Sequence, residues 1–263
     1  MAKFIPLHIH SEFSLLDGTI RIGDLVNYAK ENELPAIAVT DHGVMYSAIE
    51  FYEKAKEAGI NPLIGCEFYV HDGDIHVHDN SHNPLYHLIL ICKDAKGYAN
   101  LIKLVSTAWC EGFYYKPRIN FELLKEHHEG LICASACLGG EVLQNLLKGD
   151  YAKAKETAQR YKDLFGDDYY IELQDHNLED QKRTNPDLIK IAKELNIKMI
   201  ITNDSHYLRR EDADAQDTLL CLQTNADKDD PNRFHFPNNE FYIKSKEEMR
   251  KAFSWMDLSL IHI

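Results

Sequence analysis

Short apolar runs, each only long enough to make a strand, punctuate this chain and alternate with longer segments whose apolar residues recur three and four positions apart. The runs are Phe4–Ile9, Ala36–Thr40, Pro62–Val70, Leu85–Cys92, Leu131–Ser135, Tyr169–Leu173 and Met199–Thr202. Several are apolar at consecutive positions, so both faces need cover, as in parallel strands sandwiched by helices. The segments Ile22–Asn32, Ser47–Ala58, Tyr98–Trp109, Glu141–Leu147, Tyr151–Phe165 and Pro186–Leu195 have the helical spacing that supplies it. Gly59, Gly149 and Gly166 stand where three of these helices should stop. The order strand, helix, strand predicts an α/β fold of right-handed βαβ units, either a closed barrel or an open doubly wound sheet.

With 263 residues, 44% of them hydrophobic, the chain can bury a core without covalent staples. One barrel-sized domain is expected, although the length alone also admits two smaller ones. Beyond His206 the pattern changes to a helix over Asp212–Gln223, a polar loop over Asp227–Asn239 and a helix over Lys246–Phe253. The six cysteines contain no Cys-x-x-Cys pair, which points to reduced thiols. The N-terminus lacks a signal-like region and no apolar run approaches the roughly 20 residues of a membrane span. A cytoplasmic protein without a membrane partner is expected. A net charge of −13 argues against a broad surface for the phosphate backbone of nucleic acids. Bound divalent cations would supply a local positive field instead.

The residues best able to bind a cation are not scattered over this pattern. His8 and His10 end the first run, His42 follows the second, Glu67 lies in the third and His87 opens the fourth. Cys137 comes just past the fifth, and Asp204 and His206 just past the seventh. In parallel barrels the strand C-terminal ends form one face, so residues remote in sequence are expected to meet there. Imidazole, carboxylate and thiolate together make a borderline-soft donor set that suits zinc, with manganese or iron as substitutes. With Asp17 the set has nine members, against the about four that one tetrahedral ion takes. A multinuclear site with a bridging carboxylate is therefore expected, able to grip both the attacking and leaving oxygens of a phosphoester.

The stretch from His8-Ile9-His10 to Asp17-Gly18 resembles the opening motif of the PHP (polymerase and histidinol phosphatase) domain family, in the form that begins bacterial polymerase III alpha subunits. Thr40-Asp41-His42-Gly43, Gly65-Cys66-Glu67, Ser135-Ala136-Cys137 through Glu141, and Thr202-Asn203-Asp204-Ser205-His206 are similar to its later motifs, in order. Gly112 to Ile119 resembles the polymerase branch in particular. The resemblance implies a distorted seven-stranded, TIM-like β/α barrel with three metal ions. His8, His10, Glu67 and Asp204 would hold one; Glu67 would bridge to a second, held with His87 and Cys137; Asp17, His42 and His206 would hold the third.

The implied activity is phosphodiester hydrolysis at a DNA 3′ end, a 3′–5′ exonuclease or proofreading reaction using a metal-bound hydroxide and no side-chain nucleophile. The implied partners are a polymerase core in the same natural chain and a separate proofreading subunit. A stand-alone phosphatase of the histidinol-phosphate type and a non-catalytic, metal-stabilised scaffold remain as alternatives. Lys116 and Arg118 are candidates to steady a phosphate, and Asp41 to orient an imidazole. The histidines of the polar loop His71–Asn83, namely His71, His76, His78 and His82, match no motif and are expected to be solvated. The domain is expected to span residues 1–257. The tail 258–263 reads like a translated library adapter, with the natural chain continuing past about Asp257.

Overall fold

A computed structural model describes residues 4–78 and 84–261. Its strands are β1 (Ala36–Val39), β2 (Asn61–His71), β3 (Leu85–Cys92), β4 (Arg118–Ile119), β5 (Leu131–Ala134), β6 (Tyr169–Gln174) and β7 (Lys198–Thr202). They form one curled sheet in the order β1-β2-β3-β5-β6-β7, with β4 paired to β2. The expectation of seven strands holds in number but not in membership. Phe4–Ile9 is not a strand, and β4, at two residues, is too short for any periodicity to reveal.

The Pro6–His10 segment nevertheless joins the two edges of the sheet. Ala38 N donates to Pro6 O (3.1 Å) and Thr40 N to Ile9 O (2.8 Å) on the β1 side. Ser205 N donates to His8 O (3.0 Å) and His10 N to Ser205 O (2.8 Å) on the β7 side. Pro6 has no N–H to give a ladder, so the closure is irregular and the result is a distorted β/α barrel.

The expected succession of parallel βαβ units is interrupted at β3. Strands β1–β2, β2–β4, β5–β6 and β6–β7 are parallel, but β3 runs antiparallel to both β2 and β5. This reversal matters for the site. The start of β3, not its end, lies at the rim where its neighbours finish, which brings His87 there.

Helices α1 (Ile22–Glu31), α2 (Ala48–Glu57), α3 (Ala95–Cys110), α4 (Phe121–His127), α5 (Glu141–Leu147), α6 (Tyr151–Phe165), α7 (Glu179–Glu194), α8 (Ala213–Thr224) and α9 (Lys246–Ala252) surround the sheet. Helix α6 begins where Asp150 accepts a hydrogen bond from Lys153 N (2.9 Å), a side-chain cap. Helix α7 starts well before Pro186, which sits in its interior. Its first half buries Gln181, Thr184 and Asn185 rather than apolar residues, so hydrophobic spacing could not reveal it. None of the described helices is long and apolar enough to cross a membrane. Of the tail read as extraneous, Leu258–Leu260 forms a 3-10 turn and Ile261 bridges to Met199; residues 262–263 lie outside the described part.

Strand alternation separates two packing layers. Phe68, Leu88, Leu90, Ile171 and Leu173 point outward and pack with Leu101, Leu104, Tyr161, Leu188 and Ile191 of α3, α6 and α7. Ile89, Ile91, Ala134 and Ile200 point inward with Leu7 and Leu63. Glu67, His87 and Glu172 share this inward parity, so polar groups occupy the barrel interior above the small apolar plug.

Candidate metal centre

His8, His10, Asp17, His42, Glu67, His87, Cys137, Asp204 and His206 all come together at the rim where β1, β2, β5, β6 and β7 end and β3 begins. His8 Nε2 and His10 Nε2 lie 3.1 Å apart, and each is 3.1 Å from Asp204 Oδ1. Glu67 Oε1 is 2.9 Å from His87 Nδ1 and 3.7 Å from Cys137 Sγ, and those two are 3.4 Å apart. Around His42, the ring centroids of His10 and His42 are 3.9 Å apart and those of His10 and His206 4.3 Å. Asp17 Oδ2 is 3.1 Å from His42 Nε2, and Asp17 Oδ1 is 3.9 Å from His206 Nε2.

Glu67 touches all three groups. Its Oε1 is 3.5 Å from His8 Nε2, while its Oε2 is 3.5 Å from His10 Nε2 and 2.6 Å from His42 Nδ1. Donor atoms that share one tetrahedral ion at bonds of about 2.0 Å stand roughly 3.3 Å apart, close to these separations.

The backbone is shaped to allow this convergence. Asp204 has φ +43°, a left-handed conformation that Asp tolerates better than most residues, at a cost of about 1–3 kcal/mol. A Cβ on Gly139 would lie 2.9 Å from the His87 ring, so only glycine lets the Cys137 loop close over that imidazole. On Gly18 it would meet Ser11 O at 2.3 Å, which would push open the turn that carries Asp17.

The electrostatics fit cations. Among the described residues, the ion-pair partners of Asp17, Glu67, Glu172 and Asp204 are all histidines. Sequestering four carboxylates without a lysine or arginine is costly, and divalent ions held there would offset that cost. Glu67 Oε2, His42 Nδ1 and Asp17 Oδ1 are buried without a hydrogen-bond partner, even though the first two are close together. Burial would push the Glu67 carboxyl up, but His87 and His42 hold it well below the usual carboxylate range. Burial would lower the His42 imidazole, yet Glu67 and Asp17 push it up to about 10, so positive charge is favoured at this point. His10 is held down at about 3 by burial and by His42 and His206, which keeps its ring neutral and able to ligate. Burial, with Asp204 and Glu67 nearby, pushes the Cys137 thiol well up, so its thiolate needs a cation beside it.

Residues 6–176 match the model of the PHP domain family. The chain belongs to the PHP domain family. It is 46% identical over 255 residues to the DNA polymerase III subunit alpha of Borreliella burgdorferi, a match covering 96% of this chain and 22% of the relative. Against the DNA polymerase III subunit alpha of Deinococcus radiodurans it is 47% identical over 259 residues, covering 95% of this chain and 19% of the relative. The chain thus spans about a fifth of the length of the curated relatives it matches. A solved two-domain protein from Bacteroides vulgatus, described as containing a predicted PHP-like metal-dependent phosphoesterase, superposes with a TM-score of 0.47 at 18% identity, over 77% of this chain and 52% of that one.

Around the PHP site lie residues that sequence reasoning missed. Glu172 Oε1 accepts from His8 Nδ1 (2.7 Å) and from Gln174 Nε2 (3.0 Å), and also contacts Thr202 Oγ1. It aims His8 Nε2 at the cluster; burial would lower the His8 imidazole, but Asp204 and Glu172 push it well up, so the ring is a strong base for a cation to engage. The available signal was a carboxylate at an inward position of an otherwise apolar strand. His176 is buried, bonds to Asn203 O through Nε2 (2.8 Å), receives Gln181 Nε2 at Nδ1 (2.8 Å) and braces the turn before Asp204.

One expectation is refined and two change. Asp41 reaches an imidazole through Ser14 rather than directly: its carboxylate accepts from Ser11 N and the hydroxyls of Ser11, Ser14 and Ser47, and Ser14 Oγ in turn lies 3.3 Å from His10 Nδ1. Arg118 offers nothing to a phosphate, since its guanidinium is buried and donates to the carbonyls of Gly112 (2.8 Å), Val77 (3.1 Å) and Ile75. Lys116 does sit at the cleft beside the cluster, with Nζ 5.1 Å from the Tyr69 ring centre. Of the loop histidines expected to be solvated, His76 and His78 are exposed, but His71 is only 3% exposed and neither ring nitrogen has a partner among the described residues. It ends β2 facing Leu85, where strand pairing covers it. His82 lies outside the described residues.

Proposed function

We propose that this chain is the N-terminal PHP domain of a DNA polymerase III alpha subunit, and that its rim binds three divalent ions, zinc first among the candidates, and hydrolyses phosphodiester bonds at DNA 3′ ends. The observation that carries the reading is Glu67: one buried carboxylate shared by three groups of donors. His8, His10 and Asp204 with Glu67 would hold one ion, Glu67 with His87 and Cys137 a second, and Asp17, His42 and His206 a third, with His10 close to this last group as well. Such ions supply a nucleophile at neutral pH by lowering the pKa of water, and they neutralise charge on the phosphate.

The chain's own residues do the rest. Glu172 and the Asp41–Ser14 pair fix the His8 and His10 rings through their Nδ1 atoms. Glu67 and Asp204 stay ionised across the neutral range. Lys116 offers a cation to a phosphate entering the cleft. No side-chain nucleophile is required. The six free cysteines suit a reducing cytoplasm. A polymerase core in the same natural chain and a proofreading subunit are the proposed partners, in keeping with the fraction of the relatives that this chain spans.

The test is metal analysis of the purified protein together with release of the terminal nucleotide from a 3′-labelled single strand. Wild type should retain metal and cleave, whereas Asp204→Asn should lose at least about 100-fold in rate, more than an outer-sphere change costs. Cleavage that survives complete removal of metal rejects the proposal. Metal retention with a higher melting temperature but no cleavage would instead make the domain a scaffold.

A further inference from the structure

The cleft beside the metal rim has walls that the ligand cluster does not explain. It encloses about 270 Å³, close to the lower limit of about 300 Å³ for small-molecule sites. Asp17, His42 and Tyr69 form its floor, while Tyr46, Trp109, Phe113 and Tyr115 surround its mouth. These four rings are unusually open to solvent for their size, at 57%, 40%, 46% and 73% exposed.

Their placement is built rather than incidental. Trp109 donates Nε1–H to Gly43 O (2.8 Å), tying the end of α3 to the turn that carries His42, and its ring stacks on Phe113 at 5.2 Å and 15°. Tyr115 has φ +58°, which is rare for a bulky residue, and this conformation holds its ring outward. Arg118 is the pin for that loop. Its Nε donates to Gly112 O, and its guanidinium covers the Tyr114 ring at 5.4 Å, so residues 112–118 close on a buried cation. Lys116 follows Tyr115 and brings its ammonium over Tyr69. Among the described residues Asp17 is the one acidic group lining the cleft, in a chain of net charge −13.

Exposed ring faces, a lysine and a local deficit of acid are what unpaired nucleotides recognise. Stacking binds any base, and a lysine tracks the backbone. We propose that this aromatic mouth is a nucleobase subsite, in which the last bases of a single strand stack on Phe113 and Tyr115 while Lys116 holds a phosphate and the terminal linkage reaches Asp17 and His42. The inference rests on the phosphodiesterase reading of the same rim. It adds that the substrate enters single-stranded and is held by its bases. A duplex end keeps its bases in the stack, where these rings cannot reach their faces. Arg118 acts as a positioning residue.

The experiment uses the metal-loaded protein and an oligodeoxynucleotide carrying 2-aminopurine at its 3′ end, with a phosphorothioate last linkage to slow cleavage. Wild type should quench the fluorescence on binding, and should bind an otherwise identical strand with an abasic 3′ residue roughly tenfold more weakly, as expected for loss of a base–aromatic stack. The double variant Phe113→Ala/Tyr115→Ala should bind both strands equally and weakly, with metal content and circular dichroism unchanged. Tyr115→Trp should retain the quench. Equal wild-type affinity for the two strands overturns the proposal, as does a double variant that binds the base-bearing strand like wild type, the result expected if the patch serves a protein partner. Cleavage without base dependence rejects this subsite and leaves the phosphodiesterase reading standing. Base-dependent quenching with no cleavage of an unmodified strand does the reverse.

Discussion

In the ligand rim, side chains from stretches as distant as His8 and His206 meet because the strands, the Pro6–His10 segment and the turns between them bring their backbones to one end of the barrel; the 112–118 loop beside it is pinned by Arg118. The rim buries acids and imidazoles against one another, whereas the loop exposes its rings. The difference teaches where each region is fragile. Removing a ligand should spare the fold and destroy the chemistry, since the strands are held by the apolar layers outside and below. Removing the loop's pin should cost stability and loosen the cleft while leaving the donor cluster in place.

The largest effect expected from breaking this contrast is at Glu67. Glu67→Gln removes a charge shared by three groups, so metal retained after dialysis should fall at more than one position and cleavage should drop by more than the roughly 10–100-fold expected of Glu172→Gln, which acts only through His8. Equal losses in the two variants would mean that Glu67 is not the shared ligand. Next, Arg118→Ala should cost about 4 kcal/mol in urea unfolding, because three backbone carbonyls lose a charged donor. Its metal content should stay at the wild-type level, and a loss of metal would show that the two regions are not separable.

A smaller effect sharpens the rim side. Burial holds His176 down at about 4, against about 6.5 in an unfolded chain. The folded form therefore binds fewer protons between those values; the stabilisation is complete above pH about 6.5 and is lost as pH falls toward 4. On the order of 3 kcal/mol should disappear over that window in chelator-treated protein. His176→Asn should flatten the slope, and urea midpoints at pH 7 and pH 5 for both proteins would show whether it does.

Much of this was legible without coordinates. Helices α5 and α6 fall at the residues their spacing marked, and the nine candidate ligands stand together. Apolar periodicity and the position of a polar residue relative to a strand end are local properties, and one dimension suffices to display them. The polar start of α7, the two-residue β4 and the irregular closure at Pro6 escaped that reading, because each is held by contacts to distant chain rather than by its own pattern.

What the amino-acid sequence determined by itself was an α/β alternation with a set of soft and hard donors placed near strand ends. Only the tertiary structure decided that β3 runs backwards, so that His87 starts a strand yet still reaches Glu67. It also turned Arg118 inward and Tyr115 outward, although the two are three positions apart. The physical reason is the same in each case: strand direction, the burial of a charge and the facing of a ring depend on which remote carbonyls and carboxylates come within hydrogen-bonding reach, and that is settled only when the chain closes on itself.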